Sequence, residues 1–178
     1  MESSSPEKKV VSLQLARELK NDFSTVRSCK WGYPQVIRSK LIQGGKPFPT
    51  LFWLTCPLLR RLVSTMESNG LIQKFEDRIE KEESYRERYL KAHEETVLVK
   101  RESLVGLELS EWQKEKLFGS GIGGIANPLK VKCLHLQLAN YLGGVSNPVG
   151  RDVWESLSEK ECSGERVICL ELLRRNER

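Results

Sequence analysis

Residues Gln35–Thr55, QVIRSKLIQGGKPFPTLFWLT, decide the fold. Gln35–Ile42 carries Val36, Ile37, Leu41 and Ile42, and Thr50–Thr55 is a second run of aromatic and aliphatic residues, so both halves read as strands. Gln43-Gly44-Gly45-Lys46-Pro47 between them has turn chemistry, and the whole predicts an antiparallel hairpin. Cys29 stands just before the first strand and Cys56 just after the second, which places both at the hairpin's open end. Pro57 follows Cys56 and opens a helical pattern, LLRRLVSTMES, closed by Asn69-Gly70. Cys56 then sits at a helix N-terminus, where the dipole favours a thiolate. A metal ligand, a reactive thiol and an inert half-buried thiol are the readings open to it.

Upstream, residues 1–8 have a disordered composition. Val10–Asp22 places apolar residues at 10, 11, 13, 15 and 19 and predicts a short amphipathic helix, followed by a turn-like Cys29–Pro34. Downstream, Leu71–Arg101 predicts one long charged helix or two, with a solvated face of alternating acids and bases. His93 lies on it. Ser110-Glu111 opens a short helix that ends at Gly119, and Val149–Leu157 predicts another. The Val/Ile content of Arg166–Leu173, RVICLELL, predicts a final strand that joins the hairpin, with Cys162 in a loop and Cys169 in the core. The expected class is α+β. A small antiparallel sheet, hairpin plus C-terminal strand, is covered by several helices in one domain spanning residues 9–178.

Composition narrows the function. The 178 residues are 39% hydrophobic and 30% charged, with net charge +5, which fits a folded chain and admits an acidic or nucleic-acid partner. No apolar run reaches membrane-spanning length, and MESSSPEKK lacks a signal peptide's apolar segment, so a cytoplasmic protein without membrane insertion is expected. Five cysteines in a reducing compartment do not make a disulfide framework; metal binding, reactivity or core packing remain.

The chemistry concentrates in Gly119–Leu142, GSGIGGIANPLKVKCLHLQLANYL. Asn127-Pro128 is a helix-start signal, echoed twenty residues on, where GGIANPL becomes GGVSNPV at 143–149. Gly123 and Gly124, with Lys130 and Lys132, form either an anion site of backbone N–H groups or a plain linker between two helices. Cys133 and His135, two apart, share a ligand only if Cys133 sits at or before a helix cap or the segment is extended; otherwise both are core residues. Leu134–Leu142 is apolar nearly all round and predicts a buried helix.

Pro47–Pro57, PFPTLFWLTCP, resembles the signature of an uncharacterised bacterial family, the domain of unknown function numbered 501. The resemblance extends to Cys29-x-x-Gly32-x-Pro34, Glu67-Ser68-Asn69-Gly70, Ala92-His93 with Arg101, Gly123-Gly124, Lys132-Cys133-Leu134-His135 and Asn147-Pro148-x-Gly150. It departs at Asn140, where relatives carry a second histidine. The family brings no activity, but its motifs fall on Cys29, Cys56, Cys133 and His135, and so imply that these four form one site.

Three thiolates and an imidazole are a zinc set, with iron or an iron–sulfur cluster as the other options. His93 and Arg101 are possible additions to that site. A module binding phosphate or nucleic acid through Lys130, Lys132, Arg60, Arg61 and the glycine turn is the second reading. A cysteine-dependent enzyme, with Cys56 or Cys133 as nucleophile and His135 or His93 as base, is the third.

Overall fold

The architecture was read from a computed structural model that describes residues 5–177. The expected hairpin is present. Strand β2 (Pro34–Ser39) pairs antiparallel with β5 (Phe52–Leu54), matching Val36 with Leu54, Ile37 with Trp53 and Arg38 with Phe52. Between them, β3 (Ile42–Gln43) and β4 (Lys46–Pro47) form a two-residue ladder. Gly44 and Gly45 close it, both at positive φ, as a tight hairpin turn requires.

The third strand is not the expected one. It is β1 (Phe23–Ser28), which pairs with the other edge of β2, giving the order β1-β2-β5. Residues 166–173 lie instead in and before helix α8 (Ile168–Asn176). Cys169 is buried on it, and Ile168, Leu172 and Leu173 are half-buried. That i, i+1, i+4, i+5 spacing is a helix face, and it overrides the β-propensity of Val167 and Ile168.

Helix α1 (Ser5–Leu15) starts inside the stretch expected to be disordered, and residues 1–4 lie outside those described. It stops well before Asp22. Ala16 turns into the left-handed region at φ 52, which breaks the helix, and Leu19 packs instead with Val11, Phe23 and Ile37 in a small second core. Helix α2 (Pro57–Ser68) has Cys56 as N-cap and Asn69 as C-cap, as its sequence predicts. The charged stretch forms two helices, α3 (Leu71–Lys81) and α4 (Glu83–Glu102), broken where Glu82 is extended. Helix α5 (Glu111–Phe118) opens with a capping box of Ser110 and Gln113.

The two Asn-Pro signals behave differently. Asn147 Oδ1 accepts the Gly150 N–H, three residues on, and caps α7 (Pro148–Ser156). Asn127 Oδ1 accepts the Leu129 N–H, only two residues on, and its carbonyl takes the Lys130 N–H. That closes a turn, and no helix begins there. Helix α6 (Leu134–Leu142) starts seven residues later. It is the centre of the main core, packed on β5, α2 and α7, with Leu134, Leu138 and Ala139 fully buried.

One side of α6 is polar yet sealed. Asn147 Nδ2 donates to Gln137 Oε1 and Asn140 Oδ1, Asn140 donates to Thr96 Oγ1, and Gln137 donates to the Tyr89 hydroxyl. These amides tie α6 to α4 and α7 with each partner satisfied, so the burial carries little penalty.

Candidate metal centre

The N-terminus of α6 meets the C-terminal end of α2. Cys133 is the N-cap, with extended backbone (φ −162, ψ 153), and His135 is one residue inside the helix. This is the cap arrangement that lets residues two apart reach one ligand. Cys133 makes no side-chain cap bond. Glu67, near the end of α2, caps α6 in its place: its Oε1 accepts the Leu134 N–H at 2.6 Å and the His135 Nδ1 at 3.0 Å. His135 Nε2 lies 3.1 Å from the Arg60 carbonyl and 3.3 Å from Ser64 Oγ.

The donor atoms of Glu67, Cys133 and His135 all lie within 4.8 Å of one another, and all three residues are half-buried. Donors sharing a tetrahedral zinc at ordinary bond lengths stand about 3.3–3.8 Å apart. Small side-chain rotations therefore suffice to close the group on an ion. Burial pushes the Cys133 thiol above its ordinary pKa; the nearby Glu67 carboxylate adds to this, while the Leu136 and His135 backbone N–H groups and Lys132 act against it.

A cleft of about 550 Å³ opens beside this group. Phe48, Phe52 and Trp53 give it aromatic walls, and Arg17, Arg60 and Lys132 give it three cations. Cys133 and His135 also line it, and among the described residues no Asp or Glu does.

A family model described as a protein of unknown function, DUF501, matches residues 25–155. The chain belongs to the DUF501 family. No curated protein and no solved structure matches it. The DUF501 match takes in Glu67, Cys133, His135, Arg60 and Lys132, whereas Arg17, Cys162, Cys169 and α8 lie beyond its ends.

The four-residue set of Cys29, Cys56, Cys133 and His135 is not brought together. Among the described residues, only Glu67, Cys133 and His135 gather three such donors. The reason is the length of α2. Cys56 caps its start and Glu67 stands near its end, about 16 Å apart along the axis at 1.5 Å per residue. Cys56 faces Cys162 and Cys169 instead, is only 6% exposed, and has its thiol pushed up to about 11 by burial, against the pull of the Leu59 and Leu58 N–H groups. Burial thus outweighs the helix dipole, and this is not an activated thiol. Cys29 is half-buried in the β1–β2 turn, where its N–H donates to the Tyr33 carbonyl, and it neighbours Cys169.

The expected anion site is also dispersed. Gly123 and Gly124 are at positive φ, but a Cβ on Gly123 would strike Leu136 at 2.5 Å, and one on Gly124 would press on Pro49. The glycines approach protein closely here. The neighbouring carbonyls of Leu117, Ser120 and Gly121 point at a cation, accepting bonds from Lys100 Nζ at 2.8–3.0 Å. Lys130 is paired with Glu76 at 2.7 Å, and of Gly123, Gly124, Lys130 and Lys132 only Lys132 lines the cleft, beside Arg60.

His93 is a structural clamp. Its Nδ1 accepts the Ile122 N–H at 3.2 Å, its ring meets Tyr89 edge-on, and Nε2 has no partner among the described residues. Burial, with the Lys100 charge adding to it, pushes it down to about 4. The Arg101 guanidinium stacks on Phe118. Asn140 belongs to the sealed amide network and is not part of the donor group.

Sequence reasoning did not select Glu67, although it opens the Glu67-Ser68-Asn69-Gly70 motif. Nor did it select Arg17, which has no motif around it. The buried Lys100 was equally invisible: it ends a run that otherwise reads as a solvated helix face.

Proposed function

We propose that this protein binds one divalent transition metal, zinc foremost, through Glu67, Cys133 and His135. The observation that carries the reading is the convergence of a carboxylate, a thiol and an imidazole within 4.8 Å, two of them lining a cleft. The hydrogen bonds around His135 support it. With the metal in place of the proton on Nδ1, the Nε2–H donates to the Arg60 carbonyl. Ligating histidines are commonly oriented in this way by a backbone carbonyl on the far nitrogen.

The donor set discriminates among metals. One thiolate, one imidazole and one carboxylate suit zinc, whereas an iron–sulfur cluster calls for several thiolates. Three protein ligands leave a fourth position for water or a ligand from the cleft, and zinc lowers the pKa of such a water toward about 7. The metal also supplies the charge that converts the Cys133 thiol to a thiolate against its burial.

The cysteine-enzyme reading is supported less well. Burial raises the thiols of Cys56 and Cys133, and the ring nitrogens of His135 are engaged by Glu67, Arg60 and Ser64. The test is metal content by mass spectrometry on protein purified anaerobically without a histidine tag. About one zinc per chain is expected, lost in both Cys133→Ser and His135→Gln while their circular dichroism is unchanged. A metal-free wild type that cannot be loaded with added zinc, or a Cys133→Ser protein that retains its zinc, would overturn the proposal.

A further inference from the structure

We propose that the cleft binds a nucleoside phosphate, with its flat ring against the Phe48–Trp53 wall and its phosphates against Arg60 and Lys132. The proposal stands on the cleft's own residues and needs no metal. Among the described residues, no carboxylate pairs with Arg17, Arg60 or Lys132, although all three border one cavity with apolar walls. Glu67, the acid beside Cys133 and His135, already accepts from Leu134 N and His135 Nδ1. Three uncompensated cations against low-dielectric walls focus a positive potential, and its complement is a multiply charged anion. Phosphate oxygens fit the guanidinium fork of Arg60, which spends one N–H on the Gln14 carbonyl and keeps the rest.

The aromatic wall specifies the remainder of the ligand. Phe48 and Trp53 stack at 5.6 Å with their planes 20° apart, and Arg17 lies over the Trp53 ring at 4.7 Å. A second recess of about 220 Å³ shares Arg17, Phe48 and Trp53 with the cleft and adds Glu18, Lys20, Asn21 and Ser39. The stacked wall therefore borders both a basic cleft and a smaller recess that carries charged and neutral hydrogen-bonding groups. A base on an aromatic platform, with polar groups at its edge and phosphates in a basic groove, is a recurrent way of holding nucleotides. The cleft volume is also within the range of small-molecule sites, about 300–1,000 Å³.

The test is calorimetric titration of the whole protein, in excess EDTA, with ADP, pyrophosphate and adenosine as separate probes. ADP should bind at least about tenfold more tightly than either fragment, because the aromatic wall and the basic cleft both contribute. Lys132→Ala, at an exposed position, and Arg60→Ala should each weaken ADP by about tenfold, and Trp53→Leu by at least about fivefold. The proposal is overturned if ADP does not bind, if it binds no better than pyrophosphate or adenosine, or if the Lys132 and Trp53 variants bind it as the wild type does. An oligonucleotide that displaces ADP at far lower concentration would overturn the small-ligand assignment. Because EDTA is present throughout, failure here leaves the metal reading standing, and a failed metal measurement leaves this one standing.

Discussion

Acidification from pH 7 to pH 5 should cost the protein about 2 kcal/mol through His93 alone. The ring is buried against Tyr89 and the Ile122 backbone, and its pKa in the folded chain is about 4. In the unfolded chain it returns to about 6.5. The unfolded state therefore takes the proton first. The stability held by the neutral ring is complete above about pH 6.5, falls as pH drops toward 4, and is fully lost below that. The 2.5-unit gap corresponds to about 3.4 kcal/mol at the acid limit, of which about 2 kcal/mol is gone at pH 5. His93→Gln keeps an acceptor for the Ile122 N–H and does not titrate. Urea unfolding of both proteins at pH 7.5, 6.0, 5.0 and 4.5 should show the wild type losing stability faster, with the two curves separating by about 2 kcal/mol at pH 5. Other acids, such as Asp22 and Glu76, titrate in both proteins and cancel in the difference. Parallel curves would refute the neutral, buried state assigned to His93.

Three further outcomes follow from single contacts. Gly150→Ala should destabilise the protein by about 2 kcal/mol or more in urea unfolding, because a methyl there meets the Gln137 carbonyl and Tyr141 Cβ where α7 crosses α6. Lys100→Met should cost about 3 kcal/mol or more, since it leaves the carbonyls of Leu117, Ser120 and Gly121 buried without their donor; thermal melts at pH 7 measure this. Zinc binding should release the Cys133 proton and tighten with rising pH, by up to about tenfold per unit. Calorimetry in two buffers of different ionisation enthalpy counts that proton.

What the sequence disclosed was local. The hairpin of β2 and β5, the caps of α2, α5 and α7, and the buried helix α6 all follow from short-range pattern and turn chemistry. The errors lie where tertiary packing chose between two local options. Val167 and Ile168 can serve a strand or a helix, and the face made by Cys169 and Leu172 decided for the helix. Phe23–Ser28 reads as strand only once β2 is there to pair with it. Asn127 and Asn147 stand in nearly the same motif, yet one closes a turn and the other caps a helix.

The site was half legible for the same reason. Cys133 and His135 are neighbours in the chain, whereas their carboxylate partner arrives from the far end of α2. Grouping Cys29 and Cys56 with them required a distance across the fold that spacing does not encode. The cationic cleft draws Arg17, Arg60 and Lys132 from three separate segments; Arg60 and Lys132 were legible as phosphate-binding candidates, but no motif marks Arg17 or joins the three.

The most direct test of the metal centre is X-ray absorption at the zinc edge of the loaded protein. The assignment to Glu67, Cys133 and His135 predicts one sulfur at about 2.3 Å and otherwise nitrogen or oxygen near 2.0–2.1 Å, with the sulfur shell lost in Cys133→Ser. A shell of three or four sulfurs would place the metal among the other cysteines and contradict the account.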